Sequence, residues 1–514
     1  MNKGLEKIKK NIILYIACIC AIFLHFYALD KIPMAWHPDE AGSAYDAWCI
    51  ANYGVDRYRM SYPVLFTNFG GGGQSALYTY MASFFVKIFG MSLYVFRIPA
   101  AIMSLAVMFS GIGVLTVLKA EKKQKIMWVV LYTILPYFFM AGRIGLDCNL
   151  MLGTSSVFIC SLIYALKKDK TWMYIISGLA AGIVLYTYTV SYLVMVLFIV
   201  MTFILMMLYK RFNFLNAVAF CVPLAVLALP LIIVQVINIF DLETLVIGKI
   251  TFVKLAGYRG GEVDIPRISR LPKVLKAVFL HDEMRYNSNP KFCTLYYASI
   301  PFFVAGLINA VYQFIKNIRD RKFHPSDIIL LWFTVEIIVG TMLGGDGPNT
   351  NKMNGIFFSV LFYVVGGVNL IIDKAKHKKT VTFIIAIIYL IFAVAFFKYY
   401  FTQEKYFKYA GFNGTLEHAF DIIESNDSLK DKTVYIGWGV NTYIYYFLTE
   451  LPSPYEMHIE DYMGECGKYK FSLPEEIEEN ACYIMFGWSD TYNTLSQRDD
   501  FQMIELENDM KLAY

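Results

Sequence analysis

The 514-residue chain is 57% hydrophobic and only 17% charged. A soluble chain of this length would split into several domains with far more surface charge, so the composition excludes an ordinary globular enzyme. Its net charge of +5 hides an asymmetry, with basic residues in short loops and acidic ones near the end, and no basic-aromatic interleaving marks a nucleic-acid surface.

Taken in order, Lys3, Lys7, Lys9 and Lys10 precede the apolar run Ile12–Leu29. That run is long enough to stay as a first spanning helix rather than be cleaved as a signal segment. Eleven runs of bilayer-crossing length are predicted to be helices, near 11–29, 95–118, 126–141, 149–166, 172–189, 192–209, 214–239, 295–315, 327–343, 354–372 and 380–398. With the amino terminus in the cytoplasm, the loops at 119–125, 167–170, 210–211, 316–322 and 374–379 are short and rich in Lys or Arg. The alternate loops are longer or poorer in basic charge, which is the positive-inside pattern at every crossing. The expected fold class is therefore an α-helical polytopic membrane protein.

The first outer loop, 30–94, holds two predicted amphipathic surface helices. Asp39–Ile50 puts Ala41, Tyr45 and Trp48 on one face, and 74–90 repeats apolar residues from Leu77 to Phe89 with polar Gln74, Ser75, Thr79 and Lys87 opposite. Gly70–Gly73 between them lacks the Gly-Lys-Ser/Thr ending of a phosphate loop and reads as a flexible connector. Two domains are expected, 1–398 spanning the membrane and 399–514 outside it. The second has 21 Asp and Glu against 8 Lys and Arg over 400–514. Its runs Thr433–Ile436 and Ala481–Phe486 read as buried strands and Phe412–Ile423 as a helix, so it is taken as a small α/β unit. Cys18 and Cys20 read as apolar fillers of a spanning helix, and Cys466 and Cys482 could pair in an oxidising compartment.

Chemistry concentrates at Trp36-His37-Pro38-Asp39-Glu40-Ala41-Gly42. Pro at the first helical position and acids in the first turn are a helix-start signal. The other reading makes Asp39 a general base, since a carboxylate can take a proton from an attacking hydroxyl. Glu336 lies inside a predicted span, where acids are costly and tend to be functional, and a neutral structural role stays open for it. His281-Asp282-Glu283 invites a metal, but three neighbours on one element cannot all face one ion. The arginines of the same loop, Arg259, Arg267, Arg270 and Arg285, suit a phosphate better.

Asp39-Glu40, Gly54-Val55-Asp56, Pro63, the 74–90 helix and Arg97-Ile98-Pro99 occur in this order. The set resembles the first outer loop of the GT-C membrane glycosyltransferases, specifically the dolichyl-phosphate-mannose protein mannosyltransferases and the aminoarabinose transferase of lipid A. The likeness runs over residues 1–190 in pattern and beyond that only in topology. It implies Asp39 as catalytic base and Glu40 as the neighbour that orients groups, with Asp56 a less distinct match. It also implies an acid in the loop Gly142–Asp147, favouring Asp147 as a site residue and Arg143 as a partner for a phosphate or carboxylate, against a plain Arg-Asp pair tying two helix ends. In the loop Gly344–Asn354, Lys352 could bind a lipid-linked phosphate or simply snorkel.

The resemblance implies an inverting transfer of a sugar from a polyprenyl-phosphate donor to an acceptor hydroxyl of a glycan, lipid or protein, with the bundle housing the prenyl chain among membrane lipids. The resemblance fixes no cofactor, and a divalent metal stays open. A transporter or flippase of lipid-linked sugars would share the many helices, but it would usually show inverted repeats and several midplane charges. A third reading is an assembly factor whose tail binds cell-wall components.

Overall fold

The computed structural model describes residues 2–68, 71–258, 263–281, 284, 286–345, 347–402, 414–437, 451–456 and 465–514. Arg259, Asp282, Glu283, Arg285 and Phe412, singled out above, lie outside the described residues, as does Asp346 of the 344–354 loop.

All eleven predicted spans are helical. Seven are long and apolar enough to cross a membrane: α4 (Leu93–Val117), α7 (Asp147–Lys168), α9 (Val190–Leu208), α10 (Phe214–Ile239), α12 (Ser299–Arg319), α14 (Phe357–Lys374, with the 3-10 turn Asn354–Ile356 before it) and α15 (Lys378–Thr402). The other four are α1 (Asn2–Phe26), the pair α5 (Lys122–Ile134) and α6 (Pro136–Ala141), α8 (Thr171–Val184) and α13 (Ser326–Met342). The break between α5 and α6 falls at Leu135, which is extended. Pro136 lacks an amide N–H and forces its predecessor out of the helical region. One hydrophobic core runs through the bundle, with Trp128, Tyr132, Phe158 and Trp332 among its fully buried side chains.

The segment between α1 and α4 contains α2 (Pro38–Tyr53), a two-stranded ribbon of β1 (Phe66–Thr67) and β2 (Gly73–Gln74), and α3 (Ala76–Phe89). α2 is not the membrane-surface helix expected from its sequence. Glu40 through Ala47, Cys49 and Ile50 are all buried, so it is enclosed on nearly every side. α3 does keep an uncovered apolar face at Phe84, Ile88 and Phe89, as an interfacial helix requires. Between α10 and α12 lie the hairpin β3 (Leu245–Ile247) and β4 (Ile250–Phe252) and the short α11 (Leu271–Phe279).

The tail carries α16 (Gly414–Glu424), β5 (Thr433–Ile436), β6 (Glu465–Cys466), β7 (Tyr469–Lys470), β8 (Ala481–Phe486), α17 (Asp490–Leu495), β9 (Met503–Glu505) and β10 (Met510–Ala513). Its sheet has the order β6-β7-β5-β8-β10-β9, with β5 parallel to both β7 and β8 and the other pairs antiparallel. Both predicted strands are at its centre, paired Thr433 to Ala481 through Ile436 to Ile484. Cys482 is a buried free thiol. The tail segment 451–456 docks on α2: Tyr45 donates to the Pro452 carbonyl at 2.9 Å and Arg59 to that of Pro454 at 3.0 Å.

Candidate active site

The site begins with how α2 starts. His37 is extended and caps the helix: its Nδ1 accepts from the Asp39 amide at 3.2 Å, and its own amide donates to Glu40 at 3.1 Å. With Pro38 in the first turn this is a reciprocal cap, which fixes where Asp39 and Glu40 point. Successive helical residues are turned about 100° from one another, so the two acids diverge.

Glu40 points inward and is fully buried. Its Oε1 accepts from Arg97 Nε at 2.8 Å and from the Gly145 amide at 2.6 Å, and its Oε2 accepts from Arg97 Nη2 at 2.7 Å. The remaining N–H groups of Arg97 donate to the carbonyls of Leu29, Pro33 and Ala35. One bidentate ion pair thus clamps the chain leaving α1 to α2, α4 and the loop before α7. Gly145 suits this place because a Cβ there would come within 2.5 Å of the Phe96 ring and 2.7 Å of the Tyr78 hydroxyl.

Asp39 points the other way. Its side chain is 55% exposed, 3.8 Å from His37 Nδ1, and lines a cavity of about 420 Å³. Asp147 and Lys352 line the same cavity, together with Asn68, Gln74, Tyr188, Tyr192 and Asn351. Asp147 is the first residue of α7, with Oδ2 accepting from the Ser75 amide at 3.0 Å and Oδ1 from the Cys148 amide at 2.7 Å. Its carboxylate is therefore held rigidly, whereas that of Asp39 faces open space. Among the described residues Lys352 is the only cation on the cavity wall. Side-chain amides brace its loop: Asn287 Nδ2 donates to Asn149 Oδ1 at 3.1 Å and to Asn351 Oδ1 at 2.7 Å, and Asn354 Nδ2 to the Cys148 carbonyl at 2.9 Å. The wall is drawn from α7, the start of α9, the last turns of α10, and the segments next to α13 and α14. The volume suits a small polar ligand head group.

The other expected site residues fall elsewhere. Arg143 is not a phosphate partner. It is fully buried and donates to the carbonyls of Leu24, His25, Tyr27, Ala28 and Ile32, so it caps the carboxyl end of α1, where orphan carbonyls and the helix dipole favour a cation. Nor does it pair with Asp147, which rules out the simple tie between two helix ends. Arg267 and Arg270 both pair with Asp264, at 2.6 and 3.0 Å. Glu336 is buried in α13 with no hydrogen-bond partner to either oxygen among the described residues. Arg97, Gln74, Tyr188 and Asn351 carried no assigned role in the sequence reading. Only Arg97 had a signal, its fixed place in the ordered motif.

Asp56 turns its carboxylate into the turn after α2, where it accepts from the amides of Tyr58 and Met60 at 2.9 and 2.8 Å while Oδ2 has no partner among the described residues. Beside it Asp46 and Arg57 form a buried bidentate pair. Burial, and then the charge of Asp46, push the Asp56 carboxyl up to about 7. A carboxyl whose folded pKa exceeds its unfolded value binds its proton more tightly in the folded state. Folding stability therefore falls as pH rises from the ordinary carboxylate range to about 7. Asp56→Asn keeps the Oδ1 acceptor without the charge. Its melting temperature should match that of the parent near pH 4 and exceed it by a widening margin up to pH 8. A constant difference across that range would exclude Asp56 as the titrating group.

Among the described residues, no three His, Cys, Asp or Glu side chains gather to hold a metal ion. Compared with protein-family models and with curated proteins, the sequence matches none. Among solved structures it is similar to ArnT from Cupriavidus metallidurans in the apo state, at 12% identity and a TM-score of 0.57, and to the same protein bound to undecaprenyl phosphate, at 11% identity and 0.53. Each alignment covers 97% of both chains. The archaeal oligosaccharyltransferase AglB from Archaeoglobus fulgidus, in complex with an inhibitory peptide and a dolichol-phosphate, aligns over 86% of this chain and 64% of its own at 13% identity and 0.49. At such identities the likeness to ArnT is one of fold. The chain is a multi-pass membrane protein of the GT-C fold with a small carboxy-terminal sheet domain.

Proposed function

We propose that the chain is a membrane glycosyltransferase that moves a sugar from a polyprenyl-phosphate carrier to an acceptor hydroxyl at the outer face of the membrane. The observation that carries this reading is the shared cavity of Asp39, Asp147 and Lys352 within a GT-C fold. Asp39 is the one of these carboxylates not already held by backbone amides, so it takes the proton of the acceptor. The acceptor oxygen then attacks the anomeric carbon, the bond from that carbon to the phosphate oxygen breaks, and the lipid phosphate leaves with the electron pair. The configuration inverts in this single displacement. A phosphate monoester is a good leaving group, so no strong general acid is needed. Lys352 offsets the charge that develops on it. Asp147 and the cavity amides and tyrosines orient sugar and acceptor.

ArnT bound to undecaprenyl phosphate supports the carrier class. The outer location rests on the alternation of basic loops. Asp39 and Asp147 are also the two carboxylates that could hold a hard divalent cation whose shell substrate oxygens and water complete. Such an ion would neutralise phosphate charge, and no step above is routed through it.

The test is purified protein with a panel of polyprenyl-phosphate sugars, scored for release of the lipid phosphate. Release in the presence of a hydroxyl acceptor supports the reading, and none with any sugar overturns it. Within that assay Lys352→Ala should raise the donor KM about tenfold to a hundredfold, since a hydrogen bond to a charged group is worth about 1.5–3 kcal/mol. Lys352→Arg should recover part of the loss. An unchanged donor KM in Lys352→Ala would remove this lysine from the phosphate site.

A further inference from the structure

The β3–β4 hairpin is built unlike a ribbon in water. Its register pairs Leu245 with Phe252, Val246 with Thr251 and Ile247 with Ile250, around a two-residue turn of Gly248 and Lys249. Gly248 takes the left-handed conformation such a turn needs, with φ of 63°. Neighbouring strand residues face opposite sides, so one face of a solvated ribbon would be expected to be polar. Here Leu245, Val246 and Ile247 are consecutive and all uncovered, 42%, 56% and 56% exposed, and Ile250 and Leu242 are uncovered with them. The whole of β3 and the tip of β4 thus present uncovered apolar side chains, while Thr251 and Phe252 further along β4 are buried.

Where the hairpin is anchored says what covers it. Its base is tied to the last turn of α10: Asn238 Nδ2 donates to the Val253 carbonyl at 2.9 Å, and the Leu255 amide donates to Asn238 Oδ1 at 2.7 Å. α10 is a membrane-spanning helix whose uncovered side, Leu229, Ile232, Val236 and Ile239, runs up to the same point. The bare ribbon thus continues the lipid-facing belt at its outer rim. On the other flank β4 is stitched to the first outer loop, with the Val64 amide donating to the Thr251 carbonyl at 2.9 Å and Thr251 Oγ1 to the Ser61 carbonyl at 2.7 Å.

We infer that the hairpin 242–252 is seated in the outer leaflet of the bilayer, at the boundary between head groups and acyl chains. The hydrocarbon core is excluded, because the free edge of β3 would leave backbone groups without partners there. At the boundary those groups reach water and head groups, the apolar side chains reach lipid, and Lys249 at the tip reaches lipid phosphates. The neighbouring residues Leu65 and Leu255 line the cavity of the active site, so the ribbon stands where the leaflet meets that cavity.

The test uses the full chain in phospholipid vesicles. Val246→Cys and Ile247→Cys, on opposite faces, and Ser496→Cys in the tail are each labelled with an environment-sensitive nitrobenzoxadiazole, and the signal of the equally treated parent is subtracted. All three sites are exposed, so the fold does not depend on them. Labels at 246 and 247 should emit blue of the label at 496, be quenched at least twofold by lipids spin-labelled near the head of the acyl chain, and resist iodide. Equal iodide quenching at all three sites would overturn the inference. A blue emission lost on tenfold dilution of protein in lipid would also overturn it and assign the ribbon to a second copy of the chain.

Discussion

Replacing Asp39 with Asn should abolish transfer while leaving the protein in the membrane at parental levels. The expected fall in kcat at saturating donor is about 10²–10⁴-fold, the usual contribution of a positioned general base. Fold is spared because more than half of the side chain is exposed and its close contact is the 3.8 Å approach to His37. The stability at risk is the interaction of an acid with the amino end of α2, about 0.3–1 kcal/mol. Donor KM should hardly move, since no contact to the phosphate is removed. A variant that is normally folded and retains a tenth of the parental rate would displace Asp39 from the chemistry, and a fully active one would point to transport or scaffolding instead.

Glu40→Gln, one residue along, should show the opposite balance. We expect a loss of about 3–5 kcal/mol in stability, seen as a lower unfolding temperature in detergent, because breaking a buried ion pair leaves an uncompensated charge. Arg97 cannot shed its proton, and its guanidinium is wholly enclosed. Catalysis should fall too, but through displacement of the clamp that carries Asp39, so any surviving folded fraction should turn over substrate measurably. A double-mutant cycle with Arg97→Met separates the two roles. If the pair is architectural, the second substitution returns part of the stability lost in the first. If Glu40→Gln melts like the parent and is inactive, Glu40 acts in the chemistry itself.

The adjacent acids illustrate how far the sequence could be read. Asp39-Glu40 after the first span, with Arg97-Ile98-Pro99 opening the next, was enough to suggest GT-C. The distribution of labour between the acids was not legible, since both readings of Pro38-Asp39-Glu40, helix start and catalytic pair, are compatible with the same letters. In the structure both are present: Glu40 completes the cap and the clamp, and Asp39 is left to the cavity. Arg143 shows the reverse case. Its neighbour Asp147 suggested a pair, yet its hydrogen bonds go to carbonyls more than a hundred positions earlier.

Local composition determined the helical spans, the amphipathic α3, the central strands of the tail and the alternation of basic loops. Apolar runs of bilayer length and period-2 or period-3.6 patterns act over neighbouring residues, where a linear reading suffices. Tertiary structure alone decided that α2 is enclosed, that Arg143 closes α1, and that Asp39, Asp147 and Lys352 meet in one cavity. A buried charge takes whichever partners the packing of distant helices brings to it, and the direction of one side chain on a helix depends on which neighbours surround that turn.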